Sequence, residues 1–134
     1  MKKIEFLAVL MAMALFGACT KEAGFGGKAS IQGSVKLNTY NSIGQVIHSE
    51  QNKDQRIYII YGEQDNVVDD DTRSSYDGSF AFRNLNPGKY KVFMYSEYLG
   101  QTNNVNDSTV LFDVHVTQKN EQIDLGEIII AKNG

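Results

Sequence analysis

The chain has 134 residues, with 13 Lys and Arg against 16 Asp and Glu, one cysteine, one proline and no tryptophan. This is one domain's worth of sequence, and its net charge of −3 argues against nucleic acid, which demands basic patches. One cysteine cannot form a disulfide within the chain, so any core must hold without one.

Two lysines, Lys2 and Lys3, precede an apolar run from Phe6 to Phe16 and the small residues Gly17 and Ala18. Such a layout predicts a secretory signal peptide. As a helix, residues 6–18 would span about 20 Å, at roughly 1.5 Å per residue, too short for a bilayer core of about 30 Å. Leu15-Phe16-Gly17-Ala18-Cys19 resembles the lipobox of bacterial lipoproteins, with Phe16 in the place usually held by a branched aliphatic residue. The resemblance implies cleavage after residue 18 and lipidation of Cys19, hence a lipoprotein of the cell envelope. It would sit at the outer membrane, on the periplasmic or the surface-exposed face. Lipid chains contribute about 0.8 kcal/mol per buried CH₂, so several chains on one cysteine hold firmly. A conventional signal peptide cut near Ala18 and an uncleaved anchor are the alternatives.

Residues 19–28 contain three glycines and no periodicity, and they read as a flexible tether. Within it, Lys21 and Glu22 resemble a short charged surface-export signal; a solvated linker is the plainer reading. The domain is expected over residues 29–132. Ile31, Val35 and Leu37 alternate with polar residues, the period of a half-buried strand. Residues 38–54 are polar, with turn signals and a short edge strand at Val46 and Ile47. Arg56 to Tyr61 is β-branched and aromatic. The acidic stretch 63–76 has room for a short strand near 72–76. Asp77-Gly78 and Asn86-Pro87-Gly88 are turns on either side of a strand carrying Phe80 and Phe82. Tyr90 to Tyr95 is a further strand, residues 99–108 a loop, and Val110 to Val116 and Ile123 to Ile130 the last two strands. About seven short strands with no helix after the signal peptide predict an all-β sandwich or barrel.

The segment from Asp77 to Val92, DGSFAFRNLNPGKYKV, resembles the carboxypeptidase regulatory-like family. Its pattern runs D-G-x-F-x-F-x-N-L-x-P-G-x-Y-x-V. Ile31 to Val35 is similar to that family's first strand and Leu125 to Ile128 to its last. The resemblance implies a transthyretin-like β-sandwich. Each residue of the motif has a packing or turning role, so it implies a fold and no activity.

Chemistry is sparse. His48 lies in the polar insertion, and His115 has outward parity on its strand. Neither belongs to a hydrolase, phosphate-loop or nucleophile motif. The chain ends Ala131-Lys132-Asn133-Gly134, which lacks the tyrosine-bearing tail of hydroxyisourate hydrolases. No enzyme and no cofactor are expected. Asp69, Asp71 and Asp77 are weak calcium candidates in a run without the spacing of a calcium-binding loop. Asp107-Ser108-Thr109 resembles a short O-glycosylation motif, with Ser108 the acceptor in a loop. The sharpest clue is an apolar surplus. Tyr58, Phe93 and Tyr95 fall on the face opposite the expected core, whereas a sandwich needs one buried face per strand. Either the insertion 38–54 covers them, or they form a patch that docks a protein or glycan partner. These readings predict a lipid-anchored binding or accessory module, with a structural subunit or anchor of a surface appendage as the alternative.

Overall fold

A computed structural model describes residues 22–63, 66–98 and 106–134. Cys19 and Lys21 lie outside the described residues; Glu22 is exposed. All regular structure among them is β, in eight strands: β1 (Phe25–Tyr40), β2 (Val46–Gln51), β3 (Arg56–Tyr61), β4 (Asp70–Arg73), β5 (Ser79–Leu85), β6 (Gly88–Tyr98), β7 (Asn106–Val116) and β8 (Gln122–Asn133). They form a β-sandwich of two four-stranded sheets. In the first, the long β1 carries β8 in parallel on one edge, and β5 and then β2 in antiparallel. The second runs β4-β3-β6-β7, antiparallel throughout.

The core follows from alternation. Ile31 and Val35 of β1, Phe80 and Phe82 of β5, and Ile128 and Ile130 of β8 meet Ile57 and Ile59 of β3, Tyr90, Val92 and Met94 of β6, and Val114 and Val116 of β7. Burying an aliphatic side chain of this size contributes about 1.5–3 kcal/mol, so these pairs suffice without a disulfide. The sheets are also tied at one margin. Ser96 Oγ and Glu97 Oε2 of β6 accept from the Ala131 and Asn133 amides of β8, both at 2.8 Å. These side chains satisfy main-chain donors that an open edge would leave unpaired.

The turn residues perform the roles their chemistry suggests. Gly78 has φ +82° and donates its N–H to Ser75 C=O. A Cβ there would come within 2.5 Å of the Val35 carbonyl oxygen. Asn84 adopts φ +59°, the left-handed conformation that Asn tolerates better than most side chains. Tyr90 is 1% exposed, and its hydroxyl donates to Asn86 C=O at 2.6 Å and accepts from the Gly24 amide at 2.9 Å.

That last bond corrects the expected tether. The chain is fixed to the domain from Ala23 onward, and β1 begins at Phe25, inside the stretch 19–28. The glycines serve close approach here. Gly24 C=O accepts from Asn86 N–H at 2.8 Å, and a Cβ on Gly27 would collide with the Leu85 carbonyl. Three further boundaries move. Residues 46–51 form a full strand rather than a two-residue edge, because β2 pairs with the far half of β1. β4 lies at 70–73, before the expected 72–76, where it can pair with β3. Ser108, expected in a loop, lies on β7 opposite Ser96. Main-chain pairing continues through these polar residues because the ladder does not depend on side-chain polarity. Ser108 is half-buried and shares the core-side parity of Val110 and Phe112.

Candidate binding face

The outer face of the second sheet is built by register. Tyr58 of β3 stands opposite Phe93 of β6, and Phe93 opposite Leu111 of β7; on the other side Tyr58 stands opposite Asp71 of β4. One row therefore crosses all four strands as Asp71-Tyr58-Phe93-Leu111. Tyr95 lies two residues beyond Phe93 on the same parity, opposite Thr109. Cross-strand neighbours of this kind sit about 4.5–5.5 Å apart at Cβ, so their rings must meet.

They do. Tyr58 and Phe93 stack with centroids 5.1 Å apart and planes 20° from parallel. Tyr95 packs edge-on against both, at 5.8 Å from Tyr58 and 5.9 Å from Phe93. Such pairs contribute roughly 0.5–1.5 kcal/mol beyond burial, enough to hold the rings in place before any partner arrives. Half of Tyr95 remains exposed at 49%, and Leu111 at 52%. At the margin Arg56 Nε meets Asp71 Oδ2 at 3.4 Å, both half-exposed. The insertion 38–54 does not cover this face. Its strand β2 extends the other sheet and is itself exposed along its length. The turn before β3 reaches the margin, where Gln55 Nε2 lies 3.5 Å from the Tyr95 carbonyl oxygen.

The calcium candidates are not brought together. Asp69 Oδ2 accepts from the Tyr61 amide at 2.7 Å, Asp71 pairs with Arg56, and Asp77 Oδ1 accepts from Ser79 N–H at 3.0 Å and Ser79 Oγ–H at 2.6 Å. The Ser79 bonds hold the Asp77 carboxyl below the usual carboxylate range. Among the described residues no group of three His, Cys, Asp or Glu side chains is placed to hold a metal ion. The histidines are apart: His48 lies on β2 beside Glu50, and His115 is exposed on β7.

On the opposite side of the sandwich lies a groove the sequence did not single out. It has a volume of about 600 Å³, and runs over the outer face of the first sheet to β4. Gln32 and Ser34 of β1, Ala81 and Arg83 of β5, and Asp124 and Glu127 of β8 line it, with Arg73 from β4. The signal was present in the outward parity of Gln32, Ser34 and Arg83, which place polar side chains side by side once β1 pairs with β5 and β8. Polar residues on an outer face are the ordinary solvated case, so parity alone gave no reason to choose them.

No family model matches the chain, and no curated protein matches it by sequence. Among solved structures it is similar to the crystal structure of a candidate carbohydrate-binding protein from Pseudomonas aeruginosa. The TM-score is 0.50 at 15% identity, covering 86% of this chain and 93% of the other. That is a likeness of fold.

Proposed function

We propose that this chain is a non-catalytic, lipid-anchored binding module of the cell envelope, and that the outer face of β3, β6 and β7 is its binding surface. The observation that carries this reading is the ring cluster of half-buried Tyr58 and Phe93 with exposed Tyr95, continued by Leu111. A sandwich needs only the inner face of each sheet for its core. Three rings in mutual contact on the outer face use apolar area that the fold does not require. The separation of His48 from His115, and the engagement of Asp69, Asp71 and Asp77 by amide, guanidinium and hydroxyl donors, support a non-catalytic role.

A glycan is the first ligand class. A flat sheet face bearing rings suits the apolar C–H faces of sugars, and the tyrosine hydroxyls add polar contacts. The fold likeness to a candidate carbohydrate-binding protein adds to this choice. The test is a glycan array read with the full chain, followed by Tyr95→Ser. Loss of at least tenfold in affinity is the expected result, with the variant still folded at the assay temperature by circular dichroism although its melting temperature falls by several degrees. Unchanged affinity would remove the face from the account.

A protein partner is the second reading, favoured by one observation. Tyr58 and Phe93 stack on each other, which uses ring faces a sugar would need, while Leu111 and the Arg56–Asp71 pair give an apolar centre with a polar margin. A photo-crosslinker at position 95 that captures one defined protein, with capture lost in Tyr58→Ser, would select it. Anchoring through Cys19 is tested separately. The Cys19→Ala variant is expected to leave the membrane fraction after a carbonate wash, and persistent membrane association would exclude the lipid anchor.

A further inference from the structure

The groove across the first sheet is lined by polar side chains that the fold leaves unpaired. Gln32 and Ser34 are half-buried on β1, with their side chains making no hydrogen bond among the described residues. Arg73 and Arg83 have no carboxylate within ion-pair distance among those residues. The two carboxylates that also line the groove are engaged: Asp124 Oδ1 accepts from the Gly126 amide at 2.8 Å, and Glu127 Oε1 lies 3.8 Å from Lys36 Nζ. The lining thus carries two guanidiniums and two carboxylates, and of these only the carboxylates have partners among the described residues. Two guanidiniums without a carboxylate partner among those residues are therefore free to meet an anion there.

Its floor carries two rows of mostly polar side chains. Register places Asp124, Gln32 and Ala81 in one row across β8, β1 and β5, and Glu127, Ser34 and Ser79 in the next. Ala81, Ser34 and Ser79 are small, so the centre of the face is low. Arg83 stands on the same outward parity of β5, and Arg73 comes from β4 of the other sheet. A guanidinium presents a planar fork of N–H donors that matches a carboxylate or sulfate through two parallel bonds. Amide and hydroxyl groups between such forks suit the hydroxyls of a sugar ring.

We propose that this groove is a second binding site, for an anionic saccharide, with Arg83 and Arg73 holding its carboxylate or sulfate groups and Gln32 and Ser34 its hydroxyls. The groove floor lies on the sheet opposite the aromatic face, and Arg73 reaches it from β4, at the edge of the second sheet.

The test uses the full chain and calorimetric titration at low salt. The probes are oligogalacturonate, its methyl ester, a sulfated oligosaccharide and the desulfated form of the latter. One of the two anionic probes is expected to bind, with its neutral counterpart at least tenfold weaker; which one binds identifies carboxylate or sulfate. Arg83→Gln and Arg73→Gln should each weaken that binding by about tenfold, while Tyr95→Ser leaves it unchanged. Both arginines are exposed, so the variants should keep the wild-type melting temperature, and Arg83→Lys should recover part of the affinity. Equal binding of charged and neutral probes, insensitivity to both arginine variants, or no binding of either anionic probe at millimolar concentration would overturn the site.

Discussion

At the scale of single residues, Tyr90 joins the three parts of this domain. Its ring fills the core and packs edge-on against Tyr61 at 5.7 Å, while its hydroxyl links the start of β1 to the Asn86 turn. Burial pushes its phenol pKa up, and that of Tyr61 likewise, with Asp70 and Asp69 adding to the rise at Tyr61. Tyr90→Phe keeps the ring and leaves one amide and one carbonyl short of a partner. The expected cost is about 1–3 kcal/mol in urea denaturation, with faster proteolysis between residues 22 and 28. Gly78→Ala should cost a similar amount, about 1–3 kcal/mol, because it combines a positive φ with a collision at the Val35 carbonyl.

The acidic residues carry a pH dependence of definite sign. Asp77 is held low by Ser79, and Glu121 by the Thr117 and Gln118 amides and the Thr117 hydroxyl. A folded-state pKa below the unfolded one means that the unfolded chain takes up protons first on acidification. Their stabilisation is therefore present above their ordinary values of 3.8 and 4.5 and is lost as pH falls below them. The two tyrosines act in the other window: their contribution is complete below pH 10.0 and is lost as pH rises through the raised folded values. Melting temperature measured across pH should fall at both ends. The double variant Asp77→Asn, Glu121→Gln should flatten the acidic side alone; an unchanged acidic slope would remove these two groups from the account.

At the scale of elements, what could be read from the sequence divides by whether pairing or patterning decides the outcome. Alternation placed Ile31, Val35, Phe80, Phe82, Val114 and Val116 correctly in the core, and the same alternation put Tyr58, Phe93 and Tyr95 on the far side. Their meeting required one further fact, the register of β3 on β6, and it followed once Tyr58 stood opposite Phe93. Edge strands were harder. β2 and β4 owe their existence to the partners they find, β1 and β3, so their boundaries could not be drawn from residues 46–51 or 70–73 alone. The glycines at 24, 26 and 27 misled for a related reason. Glycine permits both flexibility and close approach, and only the position of Leu85 and Asn86 distinguishes them. Gly27→Ala is accordingly expected to destabilise the domain measurably in thermal melts, as a tether glycine would not.

At the scale of the molecule, the corrected start of β1 changes what a lipid on Cys19 would mean. With Ala23 already packed on the core, only residues 20–22 would separate lipid from domain. At most about 3.6 Å per residue, this is a reach of about 14 Å from Cys19 to Ala23. The anchored end of the sandwich, with the Asn86-Pro87-Gly88 turn, would then ride close to the membrane, leaving both outer sheet faces turned to the sides. Mapping a ligand onto the outer face of β3, β6 and β7 is the most direct test of the proposed binding surface. With a neutral oligosaccharide selected by array, NMR titration should perturb the signals of Tyr58, Phe93, Tyr95 and Leu111 first and most strongly. Perturbations confined to the opposite sheet or to the sandwich ends would contradict it.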